Sequence, residues 1–133
     1  MRIKYWLVFT LVLTLSLGAC GPSEVVFRDP NLEAAMREAI AKPEGVILVS
    51  DLKELTSFCA SGREIADISG LEHCANLEEL WLQDNQVSDI SPLVRNRGLA
   101  EEDKVRLESN PLDGRSVSDF IPQLQGRGVE VTW

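Results

Sequence analysis

From Leu77 to Leu93 the chain reads LEELWLQDNQVSDISPL, with apolar residues at Leu77, Leu80, Leu82, Val87, Ile90 and Leu93 and an asparagine at Asn85. Twenty-two residues earlier the same six positions hold Leu55, Phe58, Ala60, Ile65, Ile68 and Leu71, while Asn85 corresponds to Arg63. A third copy follows at a shift of 25, in which Val105, Leu107, Asn110 and Leu112 repeat Leu80, Leu82, Asn85 and Val87; three extra residues therefore sit in the Arg95–Lys104 connection. Val129 and Val131 supply a last apolar pair, 24 residues after Val105 and Leu107. A fixed period of this length marks a coil of stacked units, none of which can bury its apolar face alone. Each apolar-x-apolar pair predicts a short strand with both apolar side chains pointing inward, and successive strands stack in parallel. Asn85 and Asn110 fall where the chain leaves the strand, and an amide there can satisfy backbone groups that have left the ladder. Cys74 falls just before the second strand, where an inward apolar residue is expected.

Alternation turns the residue between each inward pair to the outer face of the sheet. The predicted central row is Cys59, Trp81, Arg106 and Glu130, flanked by Ser57, Glu79 and Lys104 on one side and by Ser61, Gln83, Glu108 and Thr132 on the other. An exposed tryptophan beside an arginine and carboxylates has the composition of a binding hot spot. A purely structural ladder is the alternative, with Arg106 lying over the Trp81 ring and pairing with Glu130. The candidate face comprises Glu79, Trp81, Gln83, Lys104, Arg106, Glu108 and Glu130.

A stack this short exposes apolar surface at both ends unless it is capped. Asp29 is a good helix N-cap and Pro30 suits the first helical position; Leu32, Ala35, Met36, Ala39 and Ile40 follow at helical spacing until Pro43. Val46–Val49 reads as a brief extended stretch, and Ser50 as the cap of a helical turn through Glu54. At the far end Ser116 and Asp119 resemble a capping box. Val117, Phe120, Ile121 and Leu124 form the apolar side of a last helix, which Pro122 should shorten or kink. Gly126 and Gly128 then let the chain turn into a strand over 129–133.

The first twenty residues follow a different logic. Arg2 and Lys4 precede an uncharged run, WLVFTLVLTLSL, from Trp6 to Leu17. Twelve residues are short of the ~20 that cross a bilayer, and the order basic, apolar, small is that of a secretory signal. Its end, Leu17-Gly18-Ala19-Cys20, resembles the lipobox of bacterial lipoproteins, which implies cleavage before Cys20 and lipidation of that cysteine. Residues 1–19 are then a signal peptide and 20–28 a lipidated N-terminus and tether. Gly21, rather than Asp, after the cysteine is similar to a permit for outer-membrane sorting where a cell has two membranes; otherwise the cell membrane is the expected site.

Charge narrows the partners. The 133 residues carry 13 basic and 21 acidic side chains, a net of −8; without Arg2 and Lys4 the balance is 11 against 21, or −10. Nucleic acid is excluded as a partner by that field, because affinity for phosphate backbones rests on Lys and Arg. The single histidine, His73, has no nucleophile placed beside it by any motif, so catalysis is not expected. No cofactor or metal is expected either: the cysteines form no C-x-x-C pair, and Glu101, Glu102, Asp103, Asp84, Asp89 and Asp113 follow no calcium-loop spacing. Cys59 points outward and Cys74 inward, which argues against a disulfide between them.

The spacing L-x-x-L-x-L-x-x-N-x-L is that of a leucine-rich repeat. With the helical N-terminal cap, rungs ending V-S-D-I-S-P-L and the closing segment NPLDGRSVSDFIPQLQGRGVEV, the chain resembles bacterial leucine-rich repeat proteins of the internalin-like kind from about Val26 to Trp133. That resemblance implies an α/β solenoid: a short right-handed coil with a parallel sheet of about four strands, a helical cap over 29–54, and repeats with a helical C-terminal closing segment over 55–133. Together with the lipobox resemblance it implies a membrane-anchored extracytoplasmic module, expected as a monomer, that binds another protein, or a glycan, through its concave strand face. A structural envelope lipoprotein without a specific ligand is the other reading. Two regular rungs and one irregular one are fewer than such proteins often carry.

Overall fold

The computed structural model of the chain describes residues 21–133. Helix α1 (Pro30–Ala39) and the short α2 (Val49–Leu52) precede strand β1 (Ser57–Cys59); β2 (Glu79–Trp81), α3 (Ser91–Arg95), β3 (Lys104–Arg106), α4 (Ile121–Gly126) and β4 (Glu130–Thr132) follow. The four strands form one parallel sheet in the order β1-β2-β3-β4. Phe58, Leu80 and Val105 stand side by side, as the repeat predicts. The repeat leucines and isoleucines fill a single core, with Ile65, Ile68, Leu71, Leu82, Ile90, Leu93 and Leu107 fully enclosed. Leu99 is buried 22 residues after Leu77, so the extra residues of the third rung lie after it. They make a turn in which the Ala100 N–H donates to Asp103 Oδ2 at 2.7 Å.

The last strand departs from prediction. Val131, not Val129, pairs with Val105, while Glu130 pairs with Lys104 and Thr132 with Arg106. The final interval is therefore 26 residues, not 24. A shift of two keeps the same side chains facing inward, so Val129 and Val131 are both buried and hydropathy alone does not distinguish the registers. What selects the register is the turn: the Val129 N–H returns to the Leu124 carbonyl at 3.2 Å and the Glu130 N–H donates to the Asp103 carbonyl at 2.8 Å.

The caps differ in detail from expectation. Ser50 does not cap α2; the helix begins two residues earlier than that cap implies, at Val49, and the Asp51 carboxylate accepts the Leu48 N–H at 2.8 Å and Lys42 Nζ at 2.7 Å. Ser116 and Asp119 form no capping box either. Asp113 takes the cap position, accepting the Ser116 N–H at 2.7 Å, and helical residues begin at 114. Ser116 is instead fully buried, its hydroxyl bridging the Ser88 carbonyl at 2.8 Å and the Ile90 N–H at 3.1 Å. Pro122 neither ends nor breaks the helix: a π turn over Ser116–Phe120 precedes α4, the Ile121 N–H reaching back to the Ser116 carbonyl, so the ring sits where the spacing is already widened.

The segment expected as a tether is largely packed. The Val25 N–H donates to Ile47 at 2.8 Å and the Val49 N–H to Ser23 at 2.9 Å, with Glu24 and Leu48 bridged antiparallel. Val25 and Phe27 are buried, and the Phe27 ring lies where a β-carbon on Gly70 would stand. Residues 1–20, including the signal and the lipobox cysteine, lie outside the described residues.

Candidate functional site

The outer face of the sheet is built by alternation within three-residue strands. Leu80, Val105 and Val131 are driven into the core, and their neighbours on either side are thereby turned out. The central row is Cys59, Trp81, Arg106 and Thr132, because the shift of β4 moves Glu130 into the row of Ser57, Glu79 and Lys104. The seven candidate residues still share one surface; Glu130 reaches Arg106 diagonally rather than from the opposing position.

Arg106 is held on the β4 side. Its guanidinium lies 3.2 Å from Glu130 Oε1 and donates to Thr132 Oγ1 at 3.3 Å. The Thr132 hydroxyl donates in turn to Glu108 Oε1 at 2.6 Å, and the other oxygen of that carboxylate is buried without a hydrogen-bond partner. Lys104 Nζ stands 4.0 Å from Glu79, and Ser61 donates to Gln83 Oε1 at 2.9 Å. These half-exposed ion pairs contribute little to stability, on the order of 0–1 kcal/mol each. The ion-pair half of the ladder thus forms, but its stacking half does not. Among the described residues the arginine found over an aromatic ring is Arg115, over Phe120 at 5.1 Å. Trp81 is left 41% exposed, uncovered by its neighbouring cation.

The face is held firm from behind. Asn85 is buried, its amide donating to the carbonyls of Ala60 (2.8 Å) and Leu82 (2.9 Å) and its oxygen accepting the N–H groups of Arg63 (2.9 Å) and Ile65 (3.1 Å). Asn110 does the same one rung on, donating to Leu82 and Leu107 at 2.8 Å and accepting from Val87 at 3.0 Å. Each side chain bridges two rungs. Asn96 extends this bracing to the other side of the coil, unnoticed in the sequence, with its amide on the carbonyls of Leu71 (2.9 Å) and Cys74 (3.0 Å). It lies 22 residues after Cys74, so the period itself carried the signal.

Cys59 and Cys74 are free thiols, the first exposed and the second buried. Burial, aided by nearby Glu72, pushes the Cys74 thiol up to about 12, which makes it a core hydrophobe rather than a nucleophile. His73 lines an open polar groove of about 660 Å³ on the opposite side of the coil with Arg28, Asp67, Asp89 and Arg95. The sheet face does not bring it near Trp81. Among the described residues no cluster of three or more His, Cys, Asp or Glu side chains is placed to hold a metal ion.

Comparison with known proteins places this geometry. The family described as Leucine Rich repeats (2 copies) matches residues 53–95. None of the curated proteins matches the chain. Among solved structures, an internalin (inlF) from Listeria monocytogenes is similar at 24% identity and a TM-score of 0.65 over 84% of this chain, and internalin C2 of the same organism at 26% and 0.66 over 89%. The chain spans 34% and 54% of those two structures. A Clostridium perfringens ZmpB structure, described as CBM51-2 in complex with GlcNAc and INT domains, is similar over 64% of this chain at 27% identity and a TM-score of 0.52. The fold is that of an internalin-like leucine-rich repeat solenoid.

Proposed function

We propose that this leucine-rich repeat domain binds another protein through its strand face, with Trp81 as the anchor and Arg106, Glu130, Lys104 and Glu79 as a polar surround. The observation that carries this reading is the open Trp81 ring. Arg106 is committed to Glu130 and Thr132, so the ring's exposure is not spent on an internal stack. A large apolar side chain kept in water on a rigid, hydrogen-bonded sheet costs no ordering when a partner covers it. Recognition of this kind needs no catalytic group. The similarity to internalins supports the fold on which the reading rests, not the partner. The test is a pull-down from envelope extract with wild type and a Trp81→Ala/Arg106→Ala variant of verified melting temperature. Loss of a protein from the variant's catch supports binding, and an identical catch contradicts it.

The same reading includes export and anchoring at Cys20, supported by Leu17-Gly18-Ala19-Cys20 after an apolar run and a basic start. Two or three acyl chains hold a protein on a membrane where one does so only marginally. Cys20→Ser should release the protein from the membrane fraction and abolish incorporation of labelled palmitate.

A further inference from the structure

We infer that, once anchored, the domain sits with the Val26–Val46 face of its N-terminal cap against the lipid surface; this rests on lipidation of Cys20. The length of chain between anchor and fold sets this seating. Ser23 is already bonded into the fold through Val49, so only Gly21 and Pro22 separate it from the anchor, and three residue steps span at most about 10 Å. The expected tether has no slack with which to lift the domain from the bilayer.

The face brought down is defined by the same antiparallel pairing. Val25 and Ile47 point into the core, so their neighbours Glu24, Val26, Val46 and Leu48 point out. Glu24 pairs with Leu48, and the same register two residues on sets Val26 opposite Val46. Val26 is 71% exposed and Val46 50%, the two most exposed aliphatics of the cap, with half-buried Leu48 beside them and the Arg28 side chain on the same edge. An apolar pair with a long basic side chain next to it suits the boundary between acyl chains and headgroups. So small a patch does not bind a bilayer by itself. The anchor makes the contact intramolecular, and the short leash keeps the effective concentration high.

The test uses the full-length lipidated protein, with Cys59→Ser to remove the exposed thiol, reconstituted in phosphatidylcholine vesicles doped with a brominated lipid. A fluorescent label is placed in turn at V26C, V46C and, at the far end of the coil, D119C. Quenching at 26 and 46 several-fold greater than at 119, and reduced by Val46→Asp with the label at 26 and by Val26→Asp with the label at 46, supports the seating. Equal quenching at all three sites in vesicle-bound protein overturns it while leaving the anchor intact. Failure of the wild-type chain to enter vesicles, with no palmitate on Cys20, overturns anchor and seating together.

Discussion

The two ends of the coil solve one problem by different means. At the N-terminal end one carboxylate serves cap and rung at once, beside the Asn31 amide on the Glu64 carbonyl (3.3 Å) and the Arg63–Glu38 ion pair (2.8 Å): Asp29 caps α1 through Oδ1, accepting the N–H groups of Asn31 (2.9 Å) and Leu32 (3.4 Å). Through Oδ2 it accepts those of Ala66 (2.7 Å) and Asp67 (3.1 Å) in the first rung. At the C-terminal end the joint is shared among several residues. Arg127 donates to the carbonyls of Val94 (2.7 Å) and Asn96 (3.1 Å), and Ser116 bridges Ser88 and Ile90. A local cap that also reaches across is compact and brittle, whereas distributed contacts can each be lost at smaller cost.

Gly98→Ala should have the largest effect. A β-carbon there would stand 1.9 Å from the Ala75 carbonyl oxygen, backbone that cannot swing aside. We expect a loss of about 3 kcal/mol, seen as a lowered denaturant midpoint, with hydrogen-exchange protection falling first in β3 and β4. Normal protection throughout would show that the third rung is looser than described.

Asp29→Ala follows, at about 2 kcal/mol, because it removes a helix cap and leaves four N–H groups to find other partners. The pH dependence sharpens this. Burial alone would raise the Asp29 carboxyl, but the N–H donors of Ala66, Asp67, Asn31 and Leu32 outweigh it and hold the group below its ordinary 3.8. A depressed folded-state value means that this stabilisation is complete above the ordinary value and is lost as pH falls from there through the folded one. Melting of wild type and Asp29→Asn between pH 6 and pH 2.5, as a rough range for such a carboxyl, should therefore converge at the acid end. A constant difference would remove the carboxylate from the joint.

Arg127→Ala should cost less, about 1 kcal/mol, since the guanidinium is exposed and other contacts hold the same end. A loss as large as that of Asp29→Ala would erase the distinction between the two ends.

The same contrast explains what the sequence disclosed. α1 was legible because its signals are local: Asp29, Pro30 and the spacing of Leu32, Ala35 and Met36 lie within a few residues. The three stacked pairs were legible because burial repeats with a fixed period. The placement of β4 was not, since Val129 and Val131 satisfy the inward pattern in either register and the choice lies in long-range bonds from Leu124 and Asp103. Ser116 misled for a similar reason: its residue type fits a cap, but a buried pair of backbone groups 26 to 28 residues away claims its hydroxyl. On the sheet face, Glu79, Trp81, Lys104 and Arg106 follow from alternation alone. The open state of the Trp81 ring does not, because it depends on which partner Arg106 takes.

Trp81→Ala should cost about 2 kcal/mol of stability, because a ring 41% exposed still has more than half of its surface covered. The decisive measurement pairs that melting experiment with titration of the protein recovered in the pull-down. At a temperature where both proteins are fully folded, a roughly tenfold or greater loss of affinity is expected, about 1.4 kcal/mol or more. Unaltered affinity of the folded variant would contradict the assignment of Trp81 as the anchor.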